Sequence, residues 1–179
     1  RMCHEAGITV TPIPGPAACI NALIISGRST RRFCFEAFLP QDKKERQAIL
    51  EELKVETRTI ILYEAPHRLI QTLEVLQEAL GDRKLTICRE LTKKHETVFL
   101  TTLSEALVYY KENPPRGECV LVLEGRSREE MEAEKQQNWL EMPLEEHMAH
   151  YEAGGMDRKE AMKQVAKDRG ISKRDVYKM

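Results

Sequence analysis

The sequence predicts an α/β layered domain with a mixed sheet, followed by a small all-α domain. Three observations carry that expectation. Short apolar runs alternate with amphipathic helical spacings between Phe33 and Leu123. Two of the runs, Lys84–Cys88 and Thr97–Leu100, follow each other closely, which points to an antiparallel pair within an otherwise partly parallel sheet. From Arg126 onward no strand pattern survives.

The elements follow in order. Arg1 to Gly7 has the form of a last helical turn ending at a glycine cap, so the chain is expected to begin inside a longer protein. Ile8 to Ile13 is β-branched and predicts a strand. Pro14-Gly15-Pro16 breaks it, and Ala17 to Ile25 predicts a helix, closed at Ser26-Gly27. That helix is apolar all round and is expected to be buried on most sides. Arg28 to Arg32 is a polar connector suited to a hinge. Phe33 to Pro40 predicts a strand with alternating aromatics. Lys43 to Val55 predicts a helix whose first turn is basic at Lys43, Lys44 and Arg46. Charge of that sign opposes the helix dipole, so it either meets a phosphate or is a solvated face.

Thr59 to Leu62 predicts a buried strand, because it lacks alternation and is too short for a helix. It ends in Tyr63-Glu64-Ala65-Pro66-His67-Arg68, where Pro66 suits a first helical turn, and Leu69 to Leu80 then predicts a helix. The strand Lys84–Cys88 ends in a second polar burst, Arg89 to Glu96. Ser104 to Lys111 predicts a helix, Pro114 to Gly117 a turn, and Glu118 to Leu123 a buried strand ending at Glu124-Gly125.

Beyond it, residues 126–152 hold eight acidic and three basic residues, whereas residues 157–179 hold eight basic and four acidic, a net of +4. The first stretch predicts a charged linker carrying Trp139, then helices. In the second, Asp157 caps a helix through Lys167, Gly170 closes it and Ser172 opens another. This pair is either a helix-turn-helix or a small helical cap. The expected division is residues 1–30, 31–125, a linker at 126–142, and a helical domain at 143–179.

Composition narrows the function classes. The 179 residues are 41% hydrophobic and 32% charged, with a net charge of −1, so any attraction to nucleic acid must be local. No apolar run is long enough to span a membrane, and no signal peptide is visible. Five scattered cysteines predict free, mostly buried thiols in a reducing, cytoplasmic setting. His147 and His150 lie on an acidic helix without a cysteine partner, the pattern of surface histidines, and no metal site is expected. There is no Gly-x-Ser-x-Gly elbow and no P-loop.

Strand ends are where open α/β sheets bind ligands. Three polar bursts sit at such ends: Pro14 to Ala18, Tyr63 to Arg68, and Arg89 to Lys93. A fourth, Leu123-Glu124-Gly125, is expected to join them. Small residues at Gly15, Ala17 and Ala18 either admit a ligand to a helix N-terminus or simply allow tight packing.

Taken in order, Ile13-Pro14-Gly15-Pro16-Ala17-Ala18, Phe35-Glu36-Ala37-Phe38-Leu39-Pro40, Tyr63-Glu64-Ala65-Pro66-His67-Arg68 and Arg89-Glu90-Leu91-Thr92-Lys93 resemble the bacterial small-subunit ribosomal RNA (cytidine-2′-O)-methyltransferases. These belong to the tetrapyrrole-methylase-like class. Lys163 to Ala166 and Ile171 to Tyr177 resemble the small helical domain of that family. The resemblance implies the C-terminal lobe of a two-lobe, homodimeric enzyme that uses S-adenosylmethionine and acts on ribosomal RNA of the small subunit. Most of the first lobe lies outside this chain, so the chain alone is expected to bind cofactor poorly. Ala17 stands where many members carry serine.

The resemblance implies a cofactor site at Gly15, Pro16, Ala17, Ala18, Tyr63, Leu91, Glu124 and Gly125. Arg68, Arg89 and Lys93 would face RNA phosphates. A ribose hydroxyl is a weak nucleophile, so a base helps, and Glu64, His67 and Glu90 are the candidates. Two other readings stay open: a tetrapyrrole methyltransferase of the same fold, and a nucleic-acid-binding regulator working through the helix-turn-helix.

Overall fold

The computed structural model describes residues 1–178, with the side chains of Lys173, Tyr177 and Lys178 outside the description. It divides into two compact units, Arg1–Arg126 and Ser127–Met179.

The first unit is built on five strands: β1 (Phe33–Ala37), β2 (Thr59–Glu64), β3 (Lys84–Arg89), β4 (Thr97–Thr102) and β5 (Cys119–Leu123). Their order is β1-β2-β5-β3-β4. Of the pairings among the described strands only β1–β2 is parallel; β5 lies antiparallel between β2 and β3, and β3 pairs antiparallel with β4 as expected. The helices are α1 (Met2–Glu5), α2 (Ala18–Ile25), α3 (Lys43–Lys54), α4 (Leu69–Leu80) and α5 (Leu103–Glu112).

Strand alternation sorts the side chains onto two faces. Ile60, Leu62, Leu85, Ile87, Leu121 and Leu123 pack with α3, α4 and α5 in the main core. Ile61, Cys88, Val120 and Val122 pack under α2 on the other face. The layering is therefore αβα. Local chemistry fixes the helix starts. Asp42 accepts from the Glu45 N–H (2.9 Å), and Thr102 with Glu105 forms a capping box on α5.

Several expectations need correcting. Ile8–Ile13 forms no strand, because no strand of the described residues offers its backbone a ladder. Helix α2 buries only Ala22 and Leu23, while Ile24 is 67% exposed; a helix apolar all round here has one neighbour, the sheet. The strand at Phe33 stops at Ala37, whose φ of +53° and the adjoining register shift turn the chain away. The connector before it is not a loose hinge. Thr86 Oγ1 donates to Ser26 O (2.8 Å) just before it, Thr59 Oγ1 to Ser29 O (2.7 Å) near its start and the Thr59 N–H to Arg32 O (3.2 Å) at its end, pinning it to the sheet. Arg46 donates to the carbonyls of Pro40 and Gln41, so it braces the preceding loop.

The second unit holds α6 (Arg128–Glu141), α7 (Leu144–Ala153), α8 (Arg158–Arg169) and α9 (Lys173–Lys178). The segment expected as a linker is mostly helix: Ser127 and Glu130 form a capping box that opens α6. Asp157 caps α8 through the Glu160 N–H (2.8 Å), and Gly170, left-handed at φ 65°, separates α8 from α9. Val165, Ala166 and Val176 form its core with Leu144, Met148 and Tyr151 around them. His147, expected at the surface, is fully buried and stacks on Trp139 with centroids 4.0 Å apart and planes 2° from parallel. Arg169 Nε donates to its Nδ1 (3.1 Å). Of the tail motif, the Lys173 and Tyr177 side chains lie outside the described residues.

Candidate functional site

The first two polar bursts that follow the sheet's strands do converge. Strands β2 and β3 run side by side in direction with β5 reversed between them, so Glu64 and Arg89 both lie opposite Cys119. Around this end a cavity of about 310 Å³ is lined by Ala18, Phe38, Tyr63, Glu64, Leu91 and Glu90, with Lys93, Glu118 and Val120 among the rest.

Each wall has a local cause. The Tyr63 hydroxyl accepts from the Cys19 N–H (3.1 Å), so it covers one of the open amides at the start of α2. Burial, and then the contact with Cys19, raises its pKa. Phe35 and Phe38 meet the Tyr63 ring edge-on at 4.8 and 5.7 Å, which gives the cavity an aromatic side. At the other side Glu90 and Thr92 are both left-handed, with φ of 52° and 64°. The turn leaves the Leu91 N–H and C=O without a hydrogen-bond partner among the described residues, at the rim. Glu90 Oε1 accepts from Lys93 Nζ (3.1 Å) and from the Glu118 N–H (3.0 Å). The Lys93 ammonium, then the Glu118 amide, hold the Glu90 carboxyl below its usual range. The thiols of Cys88 and Cys119 are pushed up to about 11, chiefly by burial, so they stay protonated at neutral pH and offer no nucleophile.

The other residues singled out in the sequence fall as follows. Glu64 is 1% exposed; its Oε1 accepts from the Ala65 N–H (2.8 Å) and its Oε2 from Thr72 Oγ1 (2.5 Å). Arg68 lies 3.6 Å from Glu64 and donates to Leu39 O (2.9 Å), so it ties β2 to the loop after β1. His67 is exposed on the 3₁₀ turn Pro66–Arg68 and makes no hydrogen bond among the described residues. Arg89 turns to the opposite face of the sheet. Gly15, Pro16 and Ala17 precede α2, are exposed, and do not line the cavity.

Glu124 and Gly125 are not brought to this site. Strand β5 is antiparallel to its neighbours, so its C-terminal end lies beside the N-terminal ends of β2 and β3. There the Glu124 N–H donates to Lys84 O (2.9 Å), and Glu124 lies 3.9 Å from both Arg28 and Lys84. Gly125 passes so close to the backbone of Thr57 and Arg58 that an added Cβ would lie 2.3 Å from the Arg58 carbonyl oxygen. Sequence reasoning missed Glu118 at the cleft, which carries no motif of its own and reaches the cavity through the reversal of β5, and it gave Phe38, part of the Phe35–Pro40 motif, no role in the site. Among the described residues no cluster could hold a metal ion.

The fold is a layered αβα unit with an aromatic, partly acidic cleft at its strand ends. Residues 1–107 match the Tetrapyrrole (Corrin/Porphyrin) Methylases, and the chain belongs to that family. It is 45% identical over 173 residues to the ribosomal RNA small subunit methyltransferase I of Bacillus subtilis, covering 97% of this chain and 59% of that protein. Its likeness to the protein of the same name from Synechocystis is 44% over 178 residues, covering 99% and 62%. The chain thus spans about three fifths of the length of these relatives. Among solved structures the methyltransferase CobJ superposes with a TM-score of 0.53 at 17% identity, covering 68% of this chain and 53% of CobJ, which supports the fold. The relatives do not favour the regulator reading.

Proposed function

We propose that this chain forms part of an S-adenosylmethionine-dependent methyltransferase that modifies a cytidine ribose 2′-hydroxyl in small-subunit ribosomal RNA. The observation that carries the reading is the cleft where the Tyr63–Arg68 and Arg89–Lys93 motifs meet the start of α2. Its donor set suits the cofactor. Aromatic and aliphatic walls at Phe38, Tyr63 and Leu91 suit an adenine, and the unpaired Leu91 main-chain groups suit its polar edge. Ala18 lets the helix start approach closely. Glu90 and Glu118 share the Lys93 ammonium at 3.1 and 3.4 Å, which leaves the trio net negative and favours a cationic donor. Bound there, the cofactor would supply an activated methyl group.

The chain's own residues then orient and deprotonate. Of the three candidate bases, Glu64 is engaged by Thr72 and Ala65, and Glu90 is held ionised by Lys93, which makes it a weak base at neutral pH. His67 is open to solvent and adjoins Pro66, which lines the cavity. We assign it the base. Lys93 and Arg68 would meet RNA phosphates. The exposed apolar residues Ile20, Ile24 and Phe35 support a paired assembly, and no helix among the described residues is long and apolar enough to cross a membrane, which fits work in the cytoplasm.

The test is transfer of labelled methyl to small ribosomal subunits purified from cells lacking the modification, using the full-length protein. Label on a ribose of the RNA is expected. Label appearing only on a tetrapyrrole substrate would overturn the RNA assignment and favour the other members of the family.

A further inference from the structure

The end of the sheet that carries the cleft has a second hollow on its opposite face. In β3, Cys88 faces α2 whereas Leu85 and Ile87 face the α3–α5 layer, so Arg89 continues on the latter side. There Arg89, Phe99, Tyr109, Tyr110, Asn113 and Pro115 are among the residues lining a cavity of about 310 Å³. No carboxylate lines it, in contrast to the cofactor cleft with Glu64, Glu90 and Glu118.

The lining is not an ordinary packing gap. Tyr109 is 46% exposed, and its ring meets Phe99 at 5.0 Å and 51° and Tyr110 at 5.1 Å and 86°. No described ring stacks face to face on it. Arg89 donates through Nε to Thr97 Oγ1 (3.2 Å) and through Nη1 to Arg116 O (2.8 Å). Its Nη2 makes no hydrogen bond among the described residues, and the exposed Arg116 guanidinium makes no ion pair among them. An aromatic face, the Arg89 guanidinium and no acid, with the exposed Arg116 next in the chain to the Pro115 wall, suit a ligand that is both flat and anionic.

We infer that this cavity holds an unpaired nucleobase of the RNA substrate, with the adjoining phosphate on Arg89 and Arg116. The inference rests on the RNA reading above. Proteins recognise single-stranded RNA by stacking splayed bases on aromatic rings and arginine planes. The two hollows share a rim. Arg89 and Glu90 are consecutive, and their side chains go to opposite cavities. Across from them Arg116 and Glu118 are bonded to the same pair, through Arg89 Nη1 to Arg116 O and the Glu118 N–H to Glu90 Oε1. A strand whose ribose lies at the cleft crosses this rim to seat a neighbouring base. Seating that base fixes the register of the strand and hence which hydroxyl is presented.

The test is fluorescence anisotropy of this chain with a short labelled single-stranded RNA, together with photo-crosslinking and mass spectrometry. Tyr109→Ala is expected to lose about tenfold in affinity or more, the cost of one stacked base. Tyr109→Phe and Tyr109→Trp are expected to retain it, and crosslinks are expected on peptides containing Phe99 or Tyr109. If Tyr109→Ala fails to fold, the crosslink map and the two aromatic variants decide. RNA bound equally by Tyr109→Ala, or crosslinks confined elsewhere, overturns the site and leaves the RNA substrate standing. A change in sedimentation of Tyr109→Ala without a change in RNA affinity makes the cavity a protein contact and overturns it too. Absence of RNA binding by the parent chain at low salt, with methyl label going to a tetrapyrrole, removes the RNA reading and this site together.

Discussion

His67→Gln tests the proposed base against its rivals. It removes a proton acceptor without touching the cavity wall, so turnover is expected to fall by roughly 10² to 10⁴ while cofactor affinity holds. Unchanged turnover would return the role to another residue. Glu64 is expected to act through structure. In Glu64→Gln the amide still accepts on one side, and the Thr72 hydroxyl can turn to accept on the other. In Glu64→Leu, the Ala65 N–H and Thr72 lose their partner, at a cost of about 2 kcal/mol in urea unfolding. Equal losses in the two variants would show that the charge itself matters. Two glycines make a second contrast. Gly117 has φ +79°, and a Cβ there would lie 2.3 Å from Glu90 Oε1, a side chain that can swing away. The corresponding clash at Gly125 is with backbone. Gly125→Ala is therefore expected to destabilise more than Gly117→Ala, by about 1–3 kcal/mol in its own right, while Gly117→Ala is expected to weaken cofactor binding more. At this scale the sequence showed which residues were unusual but not where their side chains would go. Tyr63 and Glu64 are neighbours in one motif, yet one faces α2 and the other the α4 layer.

Helices and strands were mostly visible in periodicity, and the failures have a common cause. Ile8–Ile13 has strand chemistry without a partner, and α2 has the composition of a buried helix with one side uncovered. Local pattern records what a segment prefers, and a ladder or a covering layer is a property of other segments. The same holds for β5: its apolar run gives no direction, and the direction alone decides which end Glu124 and Gly125 occupy. His147 shows the reverse case, a polar residue taken into a core because Trp139 and Arg169 supply its contacts. Burial first, and then the Arg169 charge, lowers its pKa, against the pull of Asp168 at 3.5 Å. Because the folded value lies below the ordinary 6.5, the unfolded chain takes up the proton first as pH falls. The helical unit is thus expected to hold full stability above about pH 6.5 and to lose it progressively below. Trp139 is the sole tryptophan and stacks on this imidazole, so its fluorescence in thermal melts reports the unit directly. A melting temperature that does not fall between neutral pH and pH 5.5 would contradict the assignment.

For the molecule as a whole, the two units are expected to part company in acid. In the α/β unit Glu56 is held down to about 2, chiefly by its hydrogen bond with Arg58, so its contribution persists until well below the ordinary carboxylate range. On lowering the pH, tryptophan fluorescence is expected to change before the sheet signal in circular dichroism. A single concerted transition would show that the units stand or fall together. The position of β5 carries a further consequence, for the order in which the sheet can assemble. Among the described strands the last to leave the ribosome is the middle one, and β1–β2 and β3–β4 are joined only through it. Until Cys119–Leu123 emerges, each pair keeps an inner edge of unsatisfied amides and carbonyls, the kind of surface that recruits other chains. Such late, non-local pairing slows folding and lengthens the aggregation-prone interval. A nascent chain stalled after Pro115 is expected to remain sensitive to protease and to engage holding chaperones. Release of the residues through Gly125 is the event that closes the sheet.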